Sequence, residues 1–342
     1  MSEIVGAHLV GSAPVETPEE MFRLATASLG SRLGRVGDGE IGERDTWIGW
    51  QYPRLAQSAQ LEPALPDEVY RQLKQFEVVP DPGPIELVDL GYVEAAIESY
   101  EVFARMKRKG EIPNDVRFMV GLPSPLSVVT MYVAPGSRGA VLERYSEAMS
   151  SQLDRILAAV PAEELAIQWE VCIEFGILEE LWTLLDTDHR GVAARSKIAE
   201  QIVALGNLVP EPAELGYHLC YGDSGHSHFT QPTDAGHLAW AARAILDGVR
   251  RTVQWIHMPV PKERDDVAYF EPLSTLNLPA TTELFLGLVH ETGGIEGTRR
   301  RIAAAEQVVP RFGVATECGL GRRPRDTIAG LLDQHAAVTG ER

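Results

Sequence analysis

Three cysteines and one histidine lie at or beside the ends of short apolar segments. The segments and their residues are 165–171 with Cys172, 215–220 with His218 and Cys220, and 312–317 with Cys318. Imidazole and thiolate groups are preferred zinc ligands, and a site with three of them keeps one position open for a substrate. A substrate thiol bound there is held as thiolate near neutral pH. The pattern predicts a catalytic zinc site, although Cys172 alone could be only a small buried apolar residue.

Carboxylates accompany these segments. Asp38 and Glu40 follow the second apolar segment in a glycine-containing turn, and Asp223 follows the His218 segment. Such carboxylates suit binding of a substrate amine, general acid/base catalysis or support of a metal-bound histidine. His226 and His228, in the loop after Asp223, could add a proton relay. The ordinary alternative for Asp38 and Glu40 is a solvated turn, and the two histidines could be incidental residues of a loop.

Two arginines follow the last cysteine. Arg322 and Arg323 stand in a chain with 49 acidic and 31 basic residues, a formal charge of -18. Paired guanidinium groups against this background indicate a carboxylate, phosphate or sulfonate on the substrate. Surface ion pairs are the alternative.

Composition excludes several classes of partner. The negative charge disfavours nucleic acids and anionic membranes. No apolar stretch is long enough to span a membrane and the N-terminus lacks a signal-peptide pattern, so a cytoplasmic location is expected. An odd number of cysteines fits a reducing compartment with free thiols.

The sequence does not determine the oligomeric state, and a homodimer is one possible assembly.

Eight β-like segments alternate with helix-like stretches. The segments, which are apolar, rich in β-branched residues and bounded by Gly, Pro or Asp, are 7–11, 33–37, 116–122, 165–171, 215–220, 252–259, 283–289 and 312–317. Amphipathic stretches of helical length lie at 18–29, 141–159, 235–250 and 296–308. This alternation predicts an α/β fold, a single (β/α)8 TIM barrel over residues 1–342. The strand ends then meet at one mouth, which would bring the cysteine segments together.

The connection 40–115 is too long for an ordinary crossover. It is predicted to be an insertion after the second strand, acting as a lid or substrate wall, or as an outer layer packed on the barrel helices.

Four short motifs, in the same order, resemble cobalamin-independent methionine synthase. They are Val10-Gly11-Ser12-Ala13-Pro14, Ile167-Gln168-Trp169-Glu170, Gly216-Tyr217-His218-Leu219-Cys220-Tyr221 and Thr316-Glu317-Cys318-Gly319-Leu320. They are similar to that family's Ile-Gly-Ser-Phe-Pro, Ile-Gln-hydrophobic-Asp, His-x-Cys-Tyr and Asp-Cys-Gly-Leu segments. The resemblance spans the chain as separate motifs rather than as continuous similarity.

The resemblance implies that His218, Cys220 and Cys318 bind the zinc that activates a thiol. The family's fourth ligand is a glutamate on the sixth strand, where this chain has His257, which could replace it. Ser12, Trp169 and Tyr221, which belong to the resembling motifs, are expected to contact the substrate. Because the family has two barrels and this chain matches one, methionine synthesis itself is not expected.

We therefore predict a zinc enzyme that transfers a methyl or other alkyl group between a small donor and a thiol, with an anionic group on the substrate. The expected catalytic residues are Glu170, Asp38 and Asp223. Glu40, Arg322 and Arg323 are expected to bind the substrate. The alternatives are a metal-free lyase resembling uroporphyrinogen decarboxylase, in which an acid such as Asp38 protonates a carbanion, and a zinc-binding protein without catalysis.

Overall fold

The computed structural model describes residues 3–64, 74–185, 189–225 and 227–340. Its strands are β1 Glu3–Ala7, β2 Arg35–Val36, β3 Leu61–Pro63, β4 Phe76–Val78, β5 Arg117–Pro123, β6 Leu165–Val171, β7 Glu214–Leu219, β8 Trp255–Pro259, β9 Glu283–Val289 and β10 Arg311–Thr316. Its α-helices are α1 Pro18–Leu29, α2 Tyr52–Leu55, α3 Tyr92–Arg108, α4 Pro125–Tyr132, α5 Arg138–Ala159, α6 Ile173–Leu178, α7 Arg195–Leu208, α8 Gly236–Gly248, α9 Val267–Phe270, α10 Gly294–Ala305 and α11 Ile328–Val338.

Eight parallel strands form the predicted barrel. Their order around the sheet is β1, β10, β9, β8, β7, β6, β5, β2, and a parallel bridge between Ala7 and Leu33 joins the two end strands. The strands β6 and β9 have the predicted bounds, and the others overlap their predicted segments. The prediction of a TIM barrel is confirmed.

The helices form the outer layer because each has one apolar face. In α1 the Thr17 side chain accepts a hydrogen bond from the Glu20 amide, and Pro18 occupies the first turn, so the helix begins where the sequence predicts. Its buried residues include Phe22 and Leu29, which face the barrel wall. Within the described ranges, no helix is both long and apolar enough to cross a membrane.

The first strand ends earlier than predicted. It covers Glu3–Ala7 rather than 7–11. Residue His8 still donates its amide to Val314, but the chain then turns into the barrel mouth, where the Val10 carbonyl accepts a hydrogen bond from the Gln168 side chain at 2.6 Å. An apolar run alone could not reveal this turn, because it depends on a side chain from another strand.

Polar side chains close the lower end of the barrel. Arg35, only 3% exposed, donates to Glu214 at 3.0 Å and to Glu283 at 2.9 Å. Its guanidinium lies 4.2 Å from the ring centroid of Trp255. Because both carboxylates open their strands β7 and β9, this group fills the floor and leaves the opposite mouth for the functional residues.

The predicted insertion has two structural parts. Helix α3 packs against α1 and α5 as a member of the outer layer. The segment before it contains short helical turns and the antiparallel pair β3–β4, and it brings Trp47 to the barrel mouth. Residues 65–73 of this region lie outside the described ranges.

Candidate functional site

His218, Cys220 and Cys318 converge at the mouth. Residues His218 and Cys220 stand at the end of β7, and Cys318 follows β10. The Cys318 sulfur lies 3.7 Å from the Cys220 sulfur and 3.7 Å from the Nε2 atom of His218. One ligand atom from each residue lies within 4.8 Å of the other two. This set of one imidazole and two thiols suits a zinc ion with three protein ligands.

His257 stands behind His218 rather than beside the thiols. Its Nε2 atom is 2.9 Å from the Thr316 carbonyl oxygen, and its Nδ1 atom is 2.7 Å from Nδ1 of His218. A carbonyl only accepts, so Nε2 of His257 carries the hydrogen and the Nδ1 of His218 donates to its Nδ1. The lone pair of His218 Nε2 is thereby directed to Cys318. His257 thus orients His218, one of the three candidate ligands, and both of its own ring nitrogens are engaged by His218 and Thr316.

Burial keeps both imidazoles neutral. Burial, followed by the neighbouring His257, lowers the pKa of His218 well below its usual range. Burial also lowers the pKa of His257 to about 4. Neutral imidazole is the form that binds metal, so His218 is in that form before an ion arrives.

The thiols are neutral when no cation is near. The adjacent Cys172 thiol raises the pKa of Cys220 well above its usual range, and burial adds to this effect. Cys220 does the same to the pKa of Cys318. A divalent cation reverses this preference, because a thiol that binds a metal loses its proton. The donor set therefore fits a soft or borderline cation such as zinc.

Glu170, which is buried, and Glu40, which is partly buried, form a carboxyl pair beside the cluster. A Cβ atom at Gly121 would lie 2.8 Å from Oε1 of Glu170 and 3.2 Å from Oε1 of Glu40, so the glycine provides the space for both. The indole N–H of Trp47 donates to Glu170 at 2.5 Å. Burial raises the pKa of Glu170 to about 7, and burial together with repulsion from Glu170 raises the pKa of Glu40 well above its usual range. Both shifts favour a protonated form of the pair, since two adjacent carboxyls resist carrying two charges.

A cavity of about 330 Å³ joins these groups. Its polar part holds the cysteines, His218, Ser12, the Glu40–Glu170 pair, Asp223 and Arg322. Its apolar wall comes from loops and short helices and packs against the cysteines: Trp47, Met131, Ile173, Trp182 and Phe229. Trp182 and Phe229 make an edge-on ring contact with centroids 5.3 Å apart. The sequence analysis missed Met131, Trp182 and Phe229, since residues on a short helix and two separate loops share no periodicity.

Ser12 joins the loop after β1 to the loop that carries Cys318. Its carbonyl oxygen accepts from the Leu320 amide at 2.6 Å, and its hydroxyl accepts from the Gly321 amide at 3.3 Å. A side chain at Gly319 would overlap the Ser12 hydroxyl. Ser12 therefore lines the cavity, as expected for a substrate-binding residue, and also fixes the position of the cysteine loop.

Asp38 lies behind Glu40, outside the main cavity. Its carboxylate accepts from Arg44 at 2.7 and 3.2 Å, from the Ser99 hydroxyl at 2.6 Å and from the Glu40 amide at 2.9 Å. These contacts occupy both oxygens and hold the turn that carries Glu40. The structure therefore assigns Asp38 a supporting position rather than the predicted contact with reacting atoms.

The two arginines that were predicted to bind the substrate lie in different surroundings. Arg322 is exposed at the rim of the cavity. Arg323 is buried and donates to Glu317 at 2.6 Å, and Nδ1 of His290 lies 3.1 Å from the same carboxylate. Arg323 thus stabilises the strand end next to Cys318 and does not reach the cavity. Arg322 alone remains available for an anionic group of a substrate.

Asp223 lines the cavity beside the cysteine loop. Burial, followed by the charge of Glu317, raises the pKa of Asp223 to about 7. The cavity wall also includes His228, whose pKa burial lowers to about 4. His226, predicted with His228 as part of a proton relay, lies outside the described residues.

Trp169 and Tyr221 do not reach the cavity. Trp169 is fully buried in the main hydrophobic core, and its neighbours Gln168 and Glu170 are the residues of β6 that face the barrel interior. Side chains alternate along a strand, so Trp169 must face the helices. The Tyr221 hydroxyl donates to Glu179 at 2.9 Å, and its ring packs on Phe175. The structure therefore places these two residues outside the cavity that they were expected to line.

Solved structures share this fold. The chain aligns with a putative vitamin-B12 independent methionine synthase from Listeria monocytogenes with a TM-score of 0.59 and 14% identity, covering 100% of both chains. It aligns with a B12-independent methionine synthase from Shewanella sp., solved with selenomethionine, with a TM-score of 0.57 and 13% identity over 98% of this chain and 95% of that one. A methyltransferase from Methanosarcina mazei gives a TM-score of 0.53 and 12% identity over 98% and 94%. No protein-family model and no curated protein matches the chain. The comparisons therefore show the methionine-synthase-like barrel fold.

Proposed function

We propose that this protein is a zinc-dependent enzyme that transfers a methyl or other alkyl group to or from a thiol. The observation that carries the proposal is the convergence of His218 Nε2 and the Cys220 and Cys318 sulfurs at the barrel mouth, with His218 held in the ligand tautomer by His257. Bound zinc would supply a positive charge that keeps a substrate sulfur deprotonated and nucleophilic near neutral pH.

The side chains around the cluster position the two substrates. The Glu40–Glu170 pair suits an amine on the thiol substrate, because a cationic group can take the place of the shared proton. Arg322 at the rim suits an anionic end. The apolar wall of Trp47, Met131 and Trp182 excludes water from the thiolate and offers a surface for the alkyl donor.

The fold comparison supports the same chemistry. The Shewanella sp. protein of this fold is a B12-independent methionine synthase solved with selenomethionine, a molecule with a methylated chalcogen and an amine. The neighbour from Methanosarcina mazei is a methyltransferase. Because these chains have nearly the same extent as this one, a single barrel is a sufficient scaffold for a protein of this kind.

The metal-free lyase alternative finds less support. It requires an acid such as Asp38 at the reacting carbon, but the Asp38 carboxylate is bound by Arg44 and Ser99 outside the main cavity. A zinc protein without catalysis would have no use for the carboxyl pair and the apolar wall around the cluster.

The metal content of protein purified without chelator tests the proposal. We expect about one zinc per chain, lost in Cys318→Ser and retained in His237→Gln, which alters an imidazole in the outer helix α8. Zinc-loaded protein is then mixed with L-homocysteine or 2-mercaptoethanesulfonate and a panel of methyl donors, and thioether formation is measured by mass spectrometry. A folded wild-type protein that binds no metal would refute the zinc proposal. Zinc binding without turnover of any donor would favour storage.

A further inference from the structure

Cys172 is the one cysteine that the three-ligand cluster does not use. It directly follows β6, and the Cys220 amide donates to the Val171 carbonyl at 2.8 Å, so the ends of β6 and β7 are paired next to both cysteines. The two side chains pack in one small buried cluster, and both thiols line the cavity. Cys172 therefore borders the candidate metal site from the neighbouring strand.

The cluster is one ligand short of a closed tetrahedral site. His257 cannot complete it while both of its ring nitrogens are bound to His218 and Thr316. Glu40 and Glu170 are held against each other, with Trp47 on Glu170. A third thiolate best matches the two already present, because three cysteines and one histidine are a common set of zinc ligands.

The backbone at Cys172 is fixed by a buried carboxylate. Its amide donates to Oε2 of Glu174 at 3.0 Å, and Glu174 also accepts from the hydroxyls of Ser124 and Ser127. This anchor holds the end of β6 toward the cavity. The Cys172 thiol packs next to the three-residue cluster rather than inside it, a position suited to a ligand that binds the ion and later leaves it.

We propose that Cys172 is the fourth zinc ligand of the substrate-free protein and the ligand that a substrate thiol displaces. The inference rests on the proposed function. On displacement the Cys172 sulfur would leave the ion and take the proton that the incoming thiol loses, and the incoming sulfur would bind in its place. The number of thiolates on the ion and the number of protons in the site stay constant. Cys172 returns to the thiol form in which it packs against Cys220.

Cobalt(II) binding tests the ligand set, because sulfur-to-cobalt charge-transfer absorption scales with the number of bound thiolates. Metal-free wild type, Cys172→Ser, Cys172→Ala and Cys220→Ser are titrated with cobalt(II). We expect both Cys172 variants to bind one cobalt with about two thirds of the wild-type intensity and to hold zinc at least about tenfold more weakly. Circular dichroism checks folding, and the two Cys172 variants control for each other. His237→Gln, in the outer helix α8, is expected to keep the wild-type spectrum.

Added 2-mercaptoethanol, used as a small uncharged probe thiol, tests the displacement. It should leave the wild-type intensity unchanged, since one sulfur replaces another, and restore the lost third in Cys172→Ala. Wild-type intensity that rises by about half on addition of the thiol would show a vacant fourth position and overturn the inference.

The metal titrations distinguish failure of the proposed function from failure of the inference about Cys172 alone. If wild type binds neither cobalt nor zinc, the proposed function and the inference fail together. If the Cys172 variants match wild type in spectrum and affinity while Cys220→Ser does not, the inference fails and the proposed function stands.

Discussion

The Nδ1 atoms of His218 and His257 lie 2.7 Å apart, and the Thr316 carbonyl fixes which of them carries the hydrogen. Two adjacent strands place these histidines in register, as Cα partners of the pair β7–β8. The contact of His257 therefore holds His218 in the tautomer that the proposed zinc site requires.

Replacing His257 should weaken the metal site without removing a ligand. In His257→Phe the Nδ1 hydrogen of His218 loses its acceptor, so the tautomer and ring orientation are no longer fixed. We expect zinc affinity to fall by about 10- to 100-fold, with the stoichiometry unchanged. Competition with a chromophoric chelator measures the affinity, and His237→Gln is the control. Unaltered affinity would show that the contact does not orient His218.

Because Ser12 contacts Gly319, we predict that substitutions at these two residues change the free energy of unfolding in a non-additive way. Gly319→Ala places a methyl group on the Ser12 hydroxyl and should destabilise the fold by about 1–3 kcal/mol. Ser12→Ala removes the hydroxyl and its bond to Gly321, at a cost of about 1 kcal/mol. The double variant should be more stable than the sum of these losses implies, because the overlap is relieved. Urea unfolding gives all four values, and simple additivity would exclude the contact.

The Glu40–Glu170 pair predicts a change of stability with pH. A carboxyl whose pKa is raised by folding stabilises the protein fully below its unfolded pKa, and this stabilisation is lost as the pH rises through the folded value, about 7 for Glu170. Glu40→Gln keeps one partner neutral. In metal-free protein it should resemble wild type near pH 4 and be more stable by about 1–3 kcal/mol near pH 8.

Urea unfolding across this pH range measures the difference. Glu98→Gln, at an exposed position of α3, is the matched control and should show no such trend. A constant difference between Glu40→Gln and wild type at all pH values would contradict the shared proton.

Arg44 is expected to matter for stability rather than for metal binding. Arg44→Gln leaves the buried Asp38 carboxylate without its cationic partner and should cost about 3 kcal/mol. Zinc content should stay at the wild-type value, because Asp38 lies outside the main cavity. Chemical denaturation and metal analysis of the same preparation provide both readouts. Loss of zinc from folded Arg44→Gln would place Asp38 closer to the site than its contacts indicate.

Parts of the site follow from the sequence because strand ends meet. The apolar runs before His218 and Cys318 predict strands, and the barrel then brings both residues to one mouth. Side chains alternate along a strand, so an inward Glu170 implies an outward Trp169. The sequence therefore already argued against a substrate contact by Trp169, which the motif resemblance had suggested.

Other parts depend on contacts that spacing does not encode. The order of the predicted strands places His257 one strand from His218. It does not show that the Nε2 atom of His257 is hydrogen-bonded to the Thr316 carbonyl. Trp182 and Phe229 meet only because two loops fold over the same cavity. The roles of Asp38 and Arg323 likewise depend on partners, Arg44 and Glu317, whose proximity the sequence alone leaves undetermined.

The floor of the barrel is closed at Arg35, so the mouth is the entrance to the cluster. With Glu214, Glu283 and Trp255 around that guanidinium, molecules that reach the cluster must come and go through the mouth. Under the proposed function, a thiol that binds at the cluster would have to enter before the alkyl donor, because both would use the same mouth. Initial-rate kinetics should therefore show compulsory-order addition, and excess donor should slow the reaction by blocking the entrance.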